Sequence, residues 1–252
     1  MSDHIIMSAP LFSLRAMARE SLAGRWPMAI AASFLYLALI NGPLMLLDLF
    51  QEPSLGTLAA NAPAMVSHNS MLSGNLLQQP WNLDFISVLE SFYAMVVSGP
   101  LLLGFTLFLF SMFRERQASP VEVLYGFEHF WKSFCLMFVM NLFILFWTML
   151  FIIPGFIAYY RYRLAFYLLA EHPEMGILQI LSESKRLMRF NKWYLFQLDV
   201  SFLGWILLSI LTAGLGAILL TPYMTMTGLI FYEMVNGRSG RPKLETLSDW
   251  EI

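Results

Sequence analysis

Residues 133–170 read SFCLMFVMNLFILFWTMLFIIPGFIAYYRYRLAFYLLA, and no charge occurs in this stretch before Arg161. A bilayer core is crossed by about 20 apolar residues in a helix. The run is therefore too long for one crossing unless it bends. Pro154-Gly155 sits near its middle. Proline removes a backbone donor and glycine permits a reversal, so the pair can join two antiparallel helices. The alternative is one kinked helix.

The basic residues decide between the two. Other charge-free runs lie at 27–47, 91–113 and 193–235, the last broken only by Asp199 and Glu233. Thr212-Ala-Gly-Leu-Gly216 divides that last run, because glycine accepts the conformations of a tight turn. Arg15, Arg19 and Arg25 precede the first span, and Arg114, Arg116 and Lys132 follow the second. Lys185, Arg186, Arg189 and Lys192 lie in 171–193, and Arg238, Arg241 and Lys243 follow the last span. Cytoplasmic loops carry the Lys/Arg excess. A reversal at Pro154-Gly155 puts thirteen of the 15 Lys and Arg on one face, whereas a single kinked helix puts seven of them on the other face. The expected fold is all-α: one integral membrane bundle over 1–252, of six transmembrane helices with a Pro154-Gly155 helical hairpin and amphipathic interfacial helices. The spans are 27–49, 91–113, 133–153, 156–170, 194–212 and 217–235, with an outer loop at 51–90 and both termini cytoplasmic. The first apolar run is too long for the core of a cleavable signal peptide and is read as retained.

Composition agrees. Hydrophobic residues make up 58% of the 252-residue chain and charged residues 13%, with mean hydropathy +0.63. Soluble domains run near 45–50% apolar and about 25% charged. An ordinary soluble enzyme, a disordered chain and a nucleic-acid-binding protein are excluded. The lone Cys135 rules out an internal disulfide, and His4, His68, His129 and His172 are too scattered for a zinc motif. No metal or other cofactor is expected.

Three segments are amphipathic. In 11–25, Leu11, Leu14, Ala18 and Leu22 share one face while Arg15 and Arg19 lie a turn apart on another, ahead of Trp26. In 174–190, Ile177, Ile180, Leu181, Leu187 and Met188 oppose Lys185, Arg186, Arg189 and Lys192. Residues 120–131 form a third, aromatic segment. All three read as interfacial helices. Arg15, Arg19, Lys185, Arg186, Arg189 and Lys192 are candidate contacts for anionic lipid headgroups, although basic cytoplasmic flanks are also the default of membrane topology.

Arg161, Arg163 and Asp199 are the charges expected inside the membrane, where ionisable groups are costly and mark function or helix pairing. Counting the helix rise back from Glu171 puts Arg163 about 12 Å and Arg161 about 15 Å deep. An Arg163–Asp199 pair follows, in a polar layer with Asn141 and Ser201, and Thr225 nearby. The fourth span reaches only about 22 Å, against a core of about 30 Å.

Several motifs are familiar together: Leu14-Arg-Ala-Met-Ala-Arg19-Glu-Ser-Leu22, Pro154-Gly155-Phe-Ile-Ala-Tyr159-Tyr160-Arg161-Tyr162, His172-Pro173-Glu174-Met175-Gly176 and Ser182-Glu-Ser184-Lys185. Asn191-Lys192-Trp193, Phe196-Gln-Leu-Asp199, Thr221-Pro222-Tyr223 and Phe231-Tyr232-Glu233 complete the set. Their order resembles the bacterial polytopic membrane family catalogued as domain of unknown function 975, which is distantly similar to the membrane domain fused to some glycerophosphodiester phosphodiesterases. The resemblance implies a bacterial plasma membrane and no particular chemistry.

No GxSxG, Walker or Ser/His/Asp pattern is present. The reading that follows is a non-enzymatic accessory, scaffold or lipid-interacting protein. Its partners would be the bilayer, anionic lipid or another membrane protein. The alternative is a small transporter or channel built on Arg161, Arg163 and Asp199. A lipid enzyme would have to use Asp199 or Glu233, and neither has an evident partner in the sequence.

Overall fold

The computed structural model describes residues 10–50, 85–114, 118–212 and 214–237. Most of the expected outer loop lies outside them. The described residues form helices and turns only, in the order α1 (Leu11–Leu22), α2 (Trp26–Phe50), α3 (Phe85–Phe113), a 3-10 helix (Pro120–His129), α4 (Phe130–Leu150) and α5 (Ile152–Tyr162). Then follow α6 (Ala165–Glu171), α7 (Ile177–Leu187), α8 (Lys192–Val200), α9 (Leu203–Leu211) and α10 (Leu215–Val235). Among the described residues, five stretches are long and apolar enough to cross a membrane: Trp26–Pro43, Ser91–Phe113, Pro120–Leu150, Lys192–Leu211 and Leu215–Val235.

The core sits on α3 and α10. Phe105, Phe108 and Leu109 of α3, and Met226, Phe231 and Tyr232 of α10, have no exposed surface or almost none. Outside this core the long helices turn apolar side chains outward. Phe146, Met149, Leu150 and Phe151 are more than half exposed, as are Leu207, Ile210 and Leu211. Such faces would be untenable in water but are the expected dress of helices solvated by lipid.

The chain breaks between α4 and α5 at Phe151, whose backbone is extended (φ −158°, ψ 147°), and not at Pro154-Gly155. Pro154 and Gly155 instead occupy the first turn of α5. Proline is tolerated there because the first helical N–H groups have no intrahelical acceptor. Gly155 has a packing role: a Cβ there would lie 2.2 Å from Thr148 Oγ1. Farther along, the rings of Phe143 and Tyr162 stack at 6.1 Å, so the two helices run side by side away from Phe151.

The expected fourth span differs more. It divides into α5 and α6, with a break at Arg163 and Leu164. Alone, the 11-residue α5 covers about 16 Å, half a bilayer core.

Two of the amphipathic segments pack closely on the rest of the protein. Leu14, Ala18 and Leu22 of α1 are fully buried, and Arg15 bonds with Tyr223 of α10, so the apolar face of α1 packs on protein. Residues 120–129 form a 3-10 helix that buries Val123 and Gly126. It lies directly on α3: a Cβ on Gly104 would stand 1.8 Å from the Val123 carbonyl oxygen, and one on Gly126 would stand 1.9 Å from the Pro100 carbonyl oxygen. Ser119 and Glu122 form a reciprocal capping box that starts this segment. The α9–α10 connection passes through Gly214 at φ +86°, a conformation that excludes most side chains.

Candidate functional site

Arg163 lies at the junction of α5 and α6, against a cavity of about 120 Å³ lined also by Thr106, Tyr159, Tyr162, Tyr167 and Thr225 and otherwise by apolar side chains. Its guanidinium lies 5.5 Å from the Tyr159 ring centroid, a cation–π contact. The Tyr167 hydroxyl donates to the Thr225 carbonyl at 3.1 Å. Thus Arg163 and Thr225 line one small cavity.

The other expected members of this layer go elsewhere. Asp199 does not line the cavity; its Oδ2 accepts the Tyr160 hydroxyl at 3.1 Å. The expected Arg163–Asp199 salt bridge is not among the ion pairs of the described residues. Asn141 is exposed on α4, and Ser201 Oγ caps its own helix by donating to the Leu198 carbonyl at 2.6 Å. Arg161 faces away from Arg163. Its carbonyl accepts Ser184 Oγ of α7 at 2.8 Å, so it lies beside the basic α7. The depth count assumed an unbroken helix from Glu171, and the break at Arg163 and Leu164 removes that premise.

A second polar centre joins the ends of α3, α6 and α10. Arg114 Nη2 contacts Glu171 Oε1 at 2.8 Å and Glu233 Oε1 at 3.8 Å, and both carboxylate side chains are less than 10% exposed. Tyr232 donates its hydroxyl to Glu171 Oε2 at 2.6 Å, and Asn236 Nδ2 donates to the Tyr232 oxygen at 3.3 Å. Glu233 therefore does have a charged partner. Sequence reading missed this because Arg114 and Glu171 were counted only as flanking charges. Buried carboxylates need such partners, since an uncompensated one costs several kcal/mol, of the order of 3–5. Among the described residues, no group of three or more His, Cys, Asp or Glu side chains is placed to hold a metal.

The six basic headgroup candidates separate into three sets. Arg15 and Arg19 line one groove with Trp26, Trp205, Leu219 and Tyr223, enclosing about 690 Å³ with almost entirely apolar walls. Arg15 Nε donates to the Tyr223 hydroxyl at 3.3 Å, and its guanidinium lies 5.2 Å from the Phe202 ring centroid. Lys192 lies within electrostatic range of both Arg161 and Lys185. Arg186 is neutralised by Glu183, which it contacts through Nε at 2.9 Å, and Arg189 stands over its neighbour Phe190.

The family model described as "Protein of unknown function (DUF975)" matches residues 149–239, from the end of α4 through α10. The Leu14–Leu22 motif lies outside that match. No curated protein matches the chain, and no solved structure does.

Proposed function

We propose that the protein is a non-enzymatic multi-pass membrane protein that holds an anionic phospholipid in the groove between α1, α9 and α10. The observation that carries this reading is the pairing of about 690 Å³ of apolar groove with Arg15 and Arg19. That volume lies within the range of built ligand sites, about 300–1,000 Å³. The groove follows α10 from Tyr223, beside Arg15, to Leu215, about 12 Å of helix. An acyl chain fits such walls. Between lipid tails and an apolar wall in a bilayer there is no hydrophobic driving force. Selection among lipids then falls on the arginines, which favour a phosphate that lacks a compensating ammonium.

The basic-residue asymmetry supports both termini on the cytoplasmic face of a bacterial plasma membrane and six crossings, with α5 and α6 together making the fourth. A likeness to the membrane domain of glycerophosphodiester phosphodiesterases would suit a lipid-contacting role. The cavity at Arg163 favours a second reading as an ion path. Its volume of about 120 Å³ is well under that of usual organic-ligand sites, about 300–1,000 Å³.

The test is native mass spectrometry of the protein released from nanodiscs holding equal phosphatidylglycerol and phosphatidylcholine. The wild type is expected to retain phosphatidylglycerol preferentially. Leu219→Trp, which fills the groove, and the Arg15→Gln/Arg19→Gln double variant are expected to lose one retained lipid. Equal retention of both lipids by the wild type, or undiminished retention by Leu219→Trp, would refute the reading.

A further inference from the structure

Arg161, Lys185 and Lys192 belong to three elements that the fold packs together. Arg161 is in the last turn of α5, Lys185 is in the last turn of α7, and Lys192 opens α8. The α5–α7 contact is fixed by the Ser184 Oγ bond to the Arg161 carbonyl at 2.8 Å. The α5–α8 contact is fixed by Phe156 and Phe196, whose ring centroids are 5.7 Å apart, and by the Tyr160–Asp199 bond at 3.1 Å. Three cations are thereby gathered at one corner, and among the described residues none of them has a carboxylate in ion-pair contact.

Arg161 also keeps a buried Nε–H with no acceptor. A buried donor left unsatisfied costs about 1–3 kcal/mol, and like charges held together add to that. The first turn of α8 has no side-chain cap from Asn191, and the positive end of its helix dipole adds to the charge at this corner. The neighbouring acids are engaged elsewhere: Glu183 with Arg186 and Asp199 with Tyr160. An oxyanion would remove each of these costs at once, supplying the missing acceptor and neutralising the repulsion.

We propose that Arg161, Lys185 and Lys192 form a binding site for a phosphate group, separate from the groove at Arg15 and Arg19. A guanidinium, two ammonium groups and helix N–H donors are the usual means of holding tetrahedral oxyanions. The phosphate can belong to a lipid headgroup or to a free anion, and the same donors serve both.

The experiment uses the full chain in phosphatidylcholine nanodiscs. Inorganic phosphate is titrated against chloride at matched ionic strength, with thermal unfolding followed by tryptophan fluorescence. In a parallel arm, about a third of the lipid is replaced by phosphatidylglycerol. Saturable stabilisation by phosphate identifies a free anion as occupant. Stabilisation by phosphatidylglycerol alone identifies a headgroup. In either case Arg161→Lys, which keeps the charge but loses Nε–H, and Lys192→Gln are expected to weaken the effect at least tenfold in apparent affinity. Arg189→Gln, outside the cluster, leaves it within twofold. Both arms are run in the Leu219→Trp background, whose blocked groove takes no lipid, so the stabilisation read there belongs to this site and the two proposals fail or stand separately. Stabilisation by neither ligand, or stabilisation that survives both Arg161→Lys and Lys192→Gln, overturns the proposal.

Discussion

Adding one methyl group at Gly104 or Gly126 tests how closely α3 and the 3-10 helix depend on each other. A Cβ at 104 would lie 1.8 Å from the Val123 carbonyl oxygen, and a Cβ at 126 would lie 1.9 Å from that of Pro100 and 2.5 Å from the Gly104 nitrogen. These obstacles are backbone atoms, which cannot rotate aside. Ordinary contact begins near 3.4 Å, so the two segments must part by about 1.5 Å. Overpacking typically costs about 1–3 kcal/mol, and a gap of that width also forfeits much of the dispersion energy of the interface. Each substitution to alanine is expected to cost about 3 kcal/mol or more. The Gly104→Ala/Gly126→Ala double variant should cost about 1–3 kcal/mol less than the sum, because one separation accommodates both methyls. Titrating dodecylmaltoside micelles with SDS, and following tryptophan fluorescence, reads these differences. The control is Gly204→Ala in α9, where a Cβ meets nothing within 4 Å; alanine there should stabilise by about 0.5–1 kcal/mol through helix propensity. If Gly104→Ala unfolds within 1 kcal/mol of wild type, by this assay, the close approach is wrong.

Two further outcomes follow. Tyr232→Phe removes a fully buried hydroxyl that donates to Glu171; the loss of a hydrogen bond to a charged acceptor should lower stability by about 2 kcal/mol, and a change below about 0.5 kcal/mol in the same titration would remove this bond from the account. In a Cys135→Ser background, Phe151→Cys should react with an impermeant maleimide on intact cells while Phe190→Cys reacts only after permeabilisation. Labelling of both positions from the same face would overturn the proposed crossing of α5 and α6.

The long helices were legible because their signal is one-dimensional: an uncharged run of sufficient length predicts α2, α4 and α10 wherever the side chains finally point. The turn before α5 was read three residues late, since Pro154 can either end one helix or begin the next, and only Phe151 adopting an extended backbone decides it. Rotation about each helix axis was not legible at all. Arg161 and Arg163 are two residues apart, about 200° around a helix, so one lies beside the basic α7 and the other against the cavity with Thr225. Asn141 had a plausible depth but the wrong azimuth. The aromatic residues of the 3-10 helix show an amphipathic segment but not its contact with α3, which is set by two glycines distant in sequence, 104 and 126, that look unremarkable until their backbones meet. The Arg114 centre was hidden for a similar reason: its members come from three separate helix ends.

That centre has an evolutionary corollary. Arg114 serves two buried carboxylates on different helices, so losing the arginine takes one shared cation from both acids and losing either acid unbalances the remainder. Single replacements at 114, 171 or 233 are expected to cost more stability than concerted ones. Among relatives, these three positions should therefore change together or not at all, even though the shortest sequence distance between any two of them is 57 residues.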